Sequence, residues 1–124
     1  MGQRAETLMV SNIPANAVRD IFSQADTGES QLRFVPTDFN SYILTLAIVA
    51  SAVGIELTLL AGERTLLKRS TLEAGGTTGV FPNMDQKAMS FEVFAGEILS
   101  SVLRETAAVA TTDVMMAASL DPAS

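Results

Sequence analysis

The sequence predicts an all-β protein, a single antiparallel β-sandwich of about seven or eight strands with an N-terminal arm. Three observations support this fold class. Six short runs between residues 31 and 120 contain nearly all the bulky apolar residues, and Gly, Pro, Asn, Asp and Ser occupy the gaps between them. Apolar and polar residues alternate within several of these runs, as they do in strands with one buried face. A chain of 124 residues is expected to form one domain.

Each run is taken as a strand of this sandwich. Tyr42, Leu44, Leu46 and Ile48 are large, and most residues between them are small or polar, so we expect these four side chains to face the core. The same alternation continues in the run that begins at Ile55. The six runs are Gln31–Pro36, Tyr42–Ala50, Ile55–Leu60, Arg64–Leu72, Ala88–Phe94 and Val109–Leu120.

Turn-forming residues separate the central runs. Residues 51–54 lie where a hairpin turn is expected, and residues 61–63, Ala-Gly-Glu, predict a tight connection into the next strand. Residues 73–85 contain three glycines and a Pro-Asn pair, so they predict a long loop with a brief strand over Thr77–Phe81. A phosphate-binding role for this loop is excluded, because it lacks the Gly-Lys-Ser/Thr ending and a following helix.

The C-terminal part has two alternatives over residues 97–106. Apolar residues recur there at helical spacing, which allows a helix of about ten residues. The other alternative is a strand over Ile98–Arg104, a turn at residues 105–107 and a closing strand over Val109–Leu120. The Thr-Thr pair at 111–112 and the surrounding strands favour this second alternative. Asp121-Pro122 is then expected to end the sheet, because proline cannot extend a ladder.

Residues 1–30 differ in composition from residues 31–124, which we assign to the β-sandwich domain. They predict either an ordered first strand or an arm, and we favour the arm, an extended segment that reaches onto a neighbouring subunit. Its few apolar residues need a surface to cover them. The expected anchors of the arm on that subunit are Leu8, Met9, Val10, Ile21 and Phe22.

The side chains that usually carry chemistry are scarce. The sequence has no His and no Cys, so Ser or Thr has no imidazole base and a thiolate metal site is impossible. Its carboxylates are scattered singly, without the clusters that hard cations require. Lys68 and Ser70 share a strand face but lack the Ser-x-x-Lys spacing, so we interpret them as solvated. The sequence therefore predicts a protein that is not an enzyme, with no cofactor and no metal.

The charge limits the kind of partner. The formal net charge is −6, and the residues of the arm are acidic overall, whereas nucleic-acid binding needs a basic stripe. The nearly uncharged stretch from Ile43 to Ile55 is 13 residues long, short of the roughly 20 that a membrane-spanning helix needs. We therefore expect neither nucleic acid nor membrane as a partner. A small apolar domain with a separable arm instead predicts self-association, as a homodimer or homotrimer.

Four features carry a resemblance to a known group of proteins. They are the turn at Gly62-Glu63-Arg64, the glycine-rich loop running to Phe81-Pro82-Asn83, the strand opened by residues 96–100 and followed by Arg104-Glu105-Thr106, and a last strand closed by Asp121-Pro122. In these features residues 43–122 resemble small β-sandwich virion proteins of tailed bacteriophages, the jelly-roll cement or decoration proteins. The resemblance implies a jelly-roll-like sandwich, an oligomer, and a position on the capsid exterior, where such proteins bind the major capsid protein or another virion protein and bridge neighbouring subunits. The alternatives are a subunit of a tail, fibre or other appendage, and a ligand-binding β module.

Overall fold

The computed structural model describes residues 4–83, 88–108 and 111–123, which form two four-stranded antiparallel sheets. The predicted all-β antiparallel sandwich is confirmed. The short helices are α1, Ile21–Gln24, and a 3-10 helix over Gln31–Arg33. The strands are β1 (Arg4–Pro14), β2 (Val18–Arg19), β3 (Ser41–Ala50), β4 (Ile55–Ala61), β5 (Arg64–Thr71), β6 (Met89–Phe94), β7 (Leu99–Glu105) and β8 (Thr111–Pro122).

The strand order is that of a jelly roll. Sheet A has the order β1-β8-β3-β6, and sheet B has the order β2-β7-β4-β5. Successive strands lie in opposite sheets except β4 and β5, which form a hairpin within sheet B. Residues 51–54 were expected to form a hairpin turn, and this prediction is wrong. They carry the chain from sheet A to sheet B, because β3 pairs with β6 and β8 while β4 pairs with β5 and β7.

The core lies between the inner faces of the two sheets. In β3, Tyr42, Leu44 and Leu46 are fully buried, as the alternation predicts, and Ile48 is half-buried against the same cluster. In β4 every second residue is buried, beginning with Ile55. Burial of this apolar surface is the main favourable term in folding.

Two predicted strands are absent from the described residues. The run Gln31–Pro36 forms a 3-10 helix instead of a strand, because the Ser30 hydroxyl accepts a hydrogen bond of 2.9 Å from the Leu32 N–H and so caps the helix. After the helix, Phe34 forms a single isolated β-bridge with Ile98. Residues 77–81 form no strand, and Gly79 has a φ of 85°, which is incompatible with an extended ladder. Residues 99–105 do form a strand rather than a helix, because β2 and β4 pair with them on both sides.

The N-terminal segment is part of the sandwich. β1 pairs with β8 from Arg4↔Leu120 to Pro14↔Thr111, with an irregularity between Val10 and Ile13. The buried residues of β1 and α1 therefore belong to the same hydrophobic core cluster as those of β3, β4, β7 and β8. The division into an arm over residues 1–30 and a sandwich domain over residues 31–124 stays a prediction. β1 matches the other alternative for this segment, an ordered first strand. The physical reason is that β8 lies inside sheet A and needs a neighbour on each edge for its backbone groups.

Candidate interaction surfaces

Within the described residues, no metal-binding constellation is found. No group of three or more potential metal ligands occurs among residues 4–83, 88–108 and 111–123. In the same part of the chain, no helix combines the length and the apolar character needed to cross a membrane. The features that distinguish the surface are instead the loops at the two ends of the sandwich and the outer faces of the two sheets.

One end, here called the charged end, is made by residues 29–40, by the β4–β5 turn and by the β6–β7 turn. Backbone hydrogen bonds fasten these segments together. The Val35 N–H donates to the Glu97 carbonyl (2.9 Å), the Gly96 N–H donates to the Val35 carbonyl (3.0 Å), and the Gly62 N–H donates to the Ile98 carbonyl (2.8 Å). The three segments therefore hold their side chains in a fixed arrangement.

An ion pair joins two of these segments. The Arg64 guanidinium donates to both oxygens of Glu97, with an Nη2–Oε1 distance of 2.7 Å and an Nε–Oε2 distance of 2.9 Å. The same carboxylate accepts the Phe94 N–H at 2.6 Å, and Arg64 Nη2 also donates to the Glu92 carbonyl at 3.3 Å. The hydrogen bond from Arg64 lowers the pKa of Glu97, and the same hydrogen bond raises the pKa of Arg64.

Four large apolar side chains of the described residues lie exposed at the charged end: Phe34, Phe39, Phe94 and Ile98. The ring of Phe39 packs edge-on against Tyr42, and we call the other three side chains the aromatic patch. They are 50%, 43% and 43% exposed. A guanidinium covers part of each ring, with Arg33 5.1 Å from the centroid of Phe34 and Arg64 4.8 Å from the centroid of Phe94. Besides Glu97, four carboxylates belong to the segments of the charged end or to the adjoining β6. Glu29 binds Arg33 at 2.9 Å, and the others are Asp38 in the Phe34 loop, Glu63 before Arg64, and Glu92 on β6.

The opposite end, here called the uncharged end, is made by residues 15–17, 51–54, 72–83 and 106–108. Carboxylates at its strand ends accept hydrogen bonds from neighbouring segments. Glu105 is 1% exposed and accepts hydrogen bonds from the N–H groups of Asn16 (3.0 Å), Ala107 (3.1 Å) and Ala108 (2.9 Å). Asp113 accepts the Asn12 N–H at 2.8 Å and the Thr78 hydroxyl. Among the described residues of these four loops, Glu73 is the only one with a charged side chain.

A groove of about 340 Å³ lies at the uncharged end, between β3 and the loop that follows β5. The loop runs beside the end of β3, where the Ala50 N–H donates to the Glu73 carbonyl (2.9 Å) and the Gly76 N–H donates to the Ala50 carbonyl (3.0 Å). A Cβ at Gly76 would lie 3.0 Å from Cε of Met115, so the backbone of the loop covers that side chain.

The outer faces of the two sheets also differ. The face of sheet A shows mainly small side chains, including Thr7, Thr45 and Ala117. The face of sheet B carries Glu56 with Arg69, whose Nε lies 3.8 Å from the carboxylate, and the Cα partner of Glu56 on β7 is Arg104. Such exposed pairs contribute little to stability.

The structure brings four of the five expected anchors together in the interior. Leu8, Val10, Ile21 and Phe22 are buried against the core of their own chain, while Met9 is half-buried on the other face of β1. Contact between this segment and another subunit stays a prediction. The aromatic patch was missed, and the signal for it was the position of Phe94 among the outward residues Ser90 and Glu92 of its strand.

The chain is similar in structure to a solved chain described as PRD1 vertex protein P5. The TM-score is 0.52 and the sequence identity is 14%, over 95% of this chain and 96% of that chain. No protein-family profile and no curated protein sequence matches this sequence. At this level of identity the likeness concerns the fold, and it extends over nearly the whole length of both chains.

Proposed function

We propose that this protein is a non-enzymatic structural protein of a bacteriophage virion. The observation that carries the proposal is the fold likeness over almost the full length of a chain named as a vertex protein. Jelly rolls occur in viral capsids and also in lectins and cupins, so the fold alone does not determine the function. The surface supports the first class, since Glu105 fastens loops and Glu97 pairs with Arg64, at opposite ends of the sandwich and not in one cleft.

The proposed location is the capsid exterior, where the protein acts as a decoration or cement protein. There it binds the major capsid protein or another virion protein and bridges neighbouring subunits. The charge of −6 supports an outward position, because a surface that faces packaged nucleic acid would be expected to be basic. We propose that copies of the chain associate as a homodimer or homotrimer, and that neither nucleic acid nor a membrane is a partner.

A second candidate is a component of a vertex or another appendage. The name of the structurally similar chain favours it, since that name refers to a vertex. The two candidates differ in the number of copies per shell. A cement protein is present across the whole shell, whereas a vertex component is present only at the vertices.

The test uses empty shells assembled without this protein. The purified chain is mixed with the shells, and co-sedimentation is measured as a function of its concentration. Saturable binding is expected, and the saturating number of copies per shell separates a cement protein from a vertex component. Failure to bind shells would overturn the proposal, and tight binding to duplex DNA at physiological salt would in addition contradict the proposed absence of nucleic acid as a partner.

A further inference from the structure

We infer that the aromatic patch at the charged end is the surface that docks onto another virion protein, and that the docking site on this partner is apolar at its centre and basic at its rim. This inference rests on the proposed function and names the surface and the chemistry of the contact. The partner is a protein different from this chain, because a second acidic copy would bring carboxylates against carboxylates.

The patch has the composition of a protein-binding centre. Phe and Arg are enriched at interfaces, and aromatic and arginine side chains provide most of the strong contacts. The rings of Phe34 and Phe94 are about half exposed although each is already held by a guanidinium. A ring fixed in this way loses little rotational freedom on binding, which reduces the entropy cost of association.

The rigidity of the surrounding loops supports the same conclusion. Phe34 and Ile98 form a bridge between two segments, and the bidentate pair of Arg64 and Glu97 fixes the third. The partner therefore meets a preformed surface and need not order a loop.

The charges around the patch specify the partner. Both arginines already bind a carboxylate of their own chain, Arg33 to Glu29 and Arg64 to Glu97. Asp38 and Glu63 are exposed, and no ion pair involving either occurs within the described residues. The rim is therefore negative, and a complementary surface presents lysines or arginines opposite it.

The uncharged end does not offer this combination. Val53 and Val80 are more exposed than either ring, at 66% and 60%, but they have no stacked guanidinium and no negative rim among the described residues. The two valines therefore serve as the matched control positions.

The experiment measures the affinity of four proteins for shells assembled without this chain: the wild type, Phe34→Ser/Phe94→Ser, Asp38→Lys/Glu63→Lys, and the control Val53→Ser/Val80→Ser. The Phe double variant is expected to bind about tenfold more weakly or worse, and the control within about twofold of the wild type. The charge variant is expected to bind more weakly and to lose the salt sensitivity that the wild type shows. Circular dichroism shows whether each variant is folded.

The outcomes separate this inference from the proposed function. If the wild type binds shells and the Phe double variant binds equally well, the inference is wrong and the proposed function stands. If the wild type does not bind, both are wrong. Sedimentation equilibrium of the free proteins adds one further outcome: loss of self-association in the Phe double variant alone would identify a second copy as the occupant and overturn the inference.

Discussion

The two ends of the sandwich use carboxylates in opposite ways. At the uncharged end, the buried Glu105 and the half-buried Asp113 accept backbone N–H groups, so that segments distant in sequence are fastened together. At the charged end, Glu29 and Glu97 bind guanidinium groups beside exposed rings. Acidic residues therefore stabilise the uncharged end of this molecule and define the surface chemistry of the charged end. Substitutions at the two ends should therefore have different consequences.

Deletion of residues 1–14 is expected to have the largest effect, because both ends depend on a single core to which β1 contributes Leu8, Val10 and Ile13. Removal of β1 also leaves β8 without its outer neighbour. The truncated chain should be unfolded or insoluble, as judged by far-ultraviolet circular dichroism and solubility. A folded, soluble product would show that the segment is an arm, as the sequence alone suggested.

Glu105→Leu is expected to lower the free energy of unfolding by about 3 kcal/mol or more, because it leaves three backbone N–H groups without their acceptor. Glu105→Gln keeps one oxygen acceptor and should lose less. Urea denaturation measures both. Equal losses for the two variants would indicate that the charge of the carboxylate, and not its acceptor capacity, stabilises the uncharged end.

Alanine substitution of two glycines, one at each end, compares how tightly the loops of the two ends are packed. Gly54 and Gly96 have positive φ values of 101° and 80°, so alanine at either position costs about 1–2 kcal/mol of backbone strain. A Cβ at Gly54 would overlap the Cβ of Ala107, whereas no atom lies within 4 Å of a Cβ at Gly96. Gly54→Ala should therefore be the more destabilising of the two in thermal denaturation. The opposite order would contradict the close packing of the loops at the uncharged end.

The smallest effect is expected at Glu97, whose side chain is 18% exposed while that of Arg64 is 44% exposed. The folded-state pKa of Glu97 lies below the ordinary value of 4.5, so the ion pair contributes stability above that pH and loses it as the pH falls through the lowered pKa. The contribution, reduced by solvent screening, is about 1 kcal/mol. Urea denaturation of the wild type and Glu97→Gln should converge below pH 4.5 and separate above it. A constant difference across this range would contradict the assignment.

The sequence predicted the strands well where one face of a strand is buried along its length. The alternation in β3 and β4 specifies which side chains enter the core, and the structure places them there. The prediction was wrong over Gln31–Pro36, where Leu32 also lies in the core but the Ser30 cap makes a 3-10 helix. A short run of apolar residues does not distinguish a strand from a 3-10 helix, because either structure can bury a single side chain.

The interaction surfaces could be predicted only in part. Leu8, Val10, Ile21 and Phe22 were recognised as residues that need a cover, but sequence alone does not say whether the cover belongs to the same chain or to another. The aromatic patch depends on loops separated by about sixty residues, between Phe34 and Phe94, that meet only through the strand order. A local sequence pattern does not predict which distant loops lie side by side. The exposure of Phe34 could therefore be identified only from the structure.

The hydrogen bonds of Arg64 and Glu97 also affect how other chains can approach. β6 is an edge strand of sheet A, and the unpaired backbone groups of an edge strand are a template on which a foreign strand can add. At the end of β6, the Phe94 N–H is already bound to Glu97 and the Glu92 carbonyl to Arg64. A strand that added there would have to displace both side chains. The ion pair thus opposes strand addition at this end of β6, so that a chain approaching there meets side chains instead of free backbone groups.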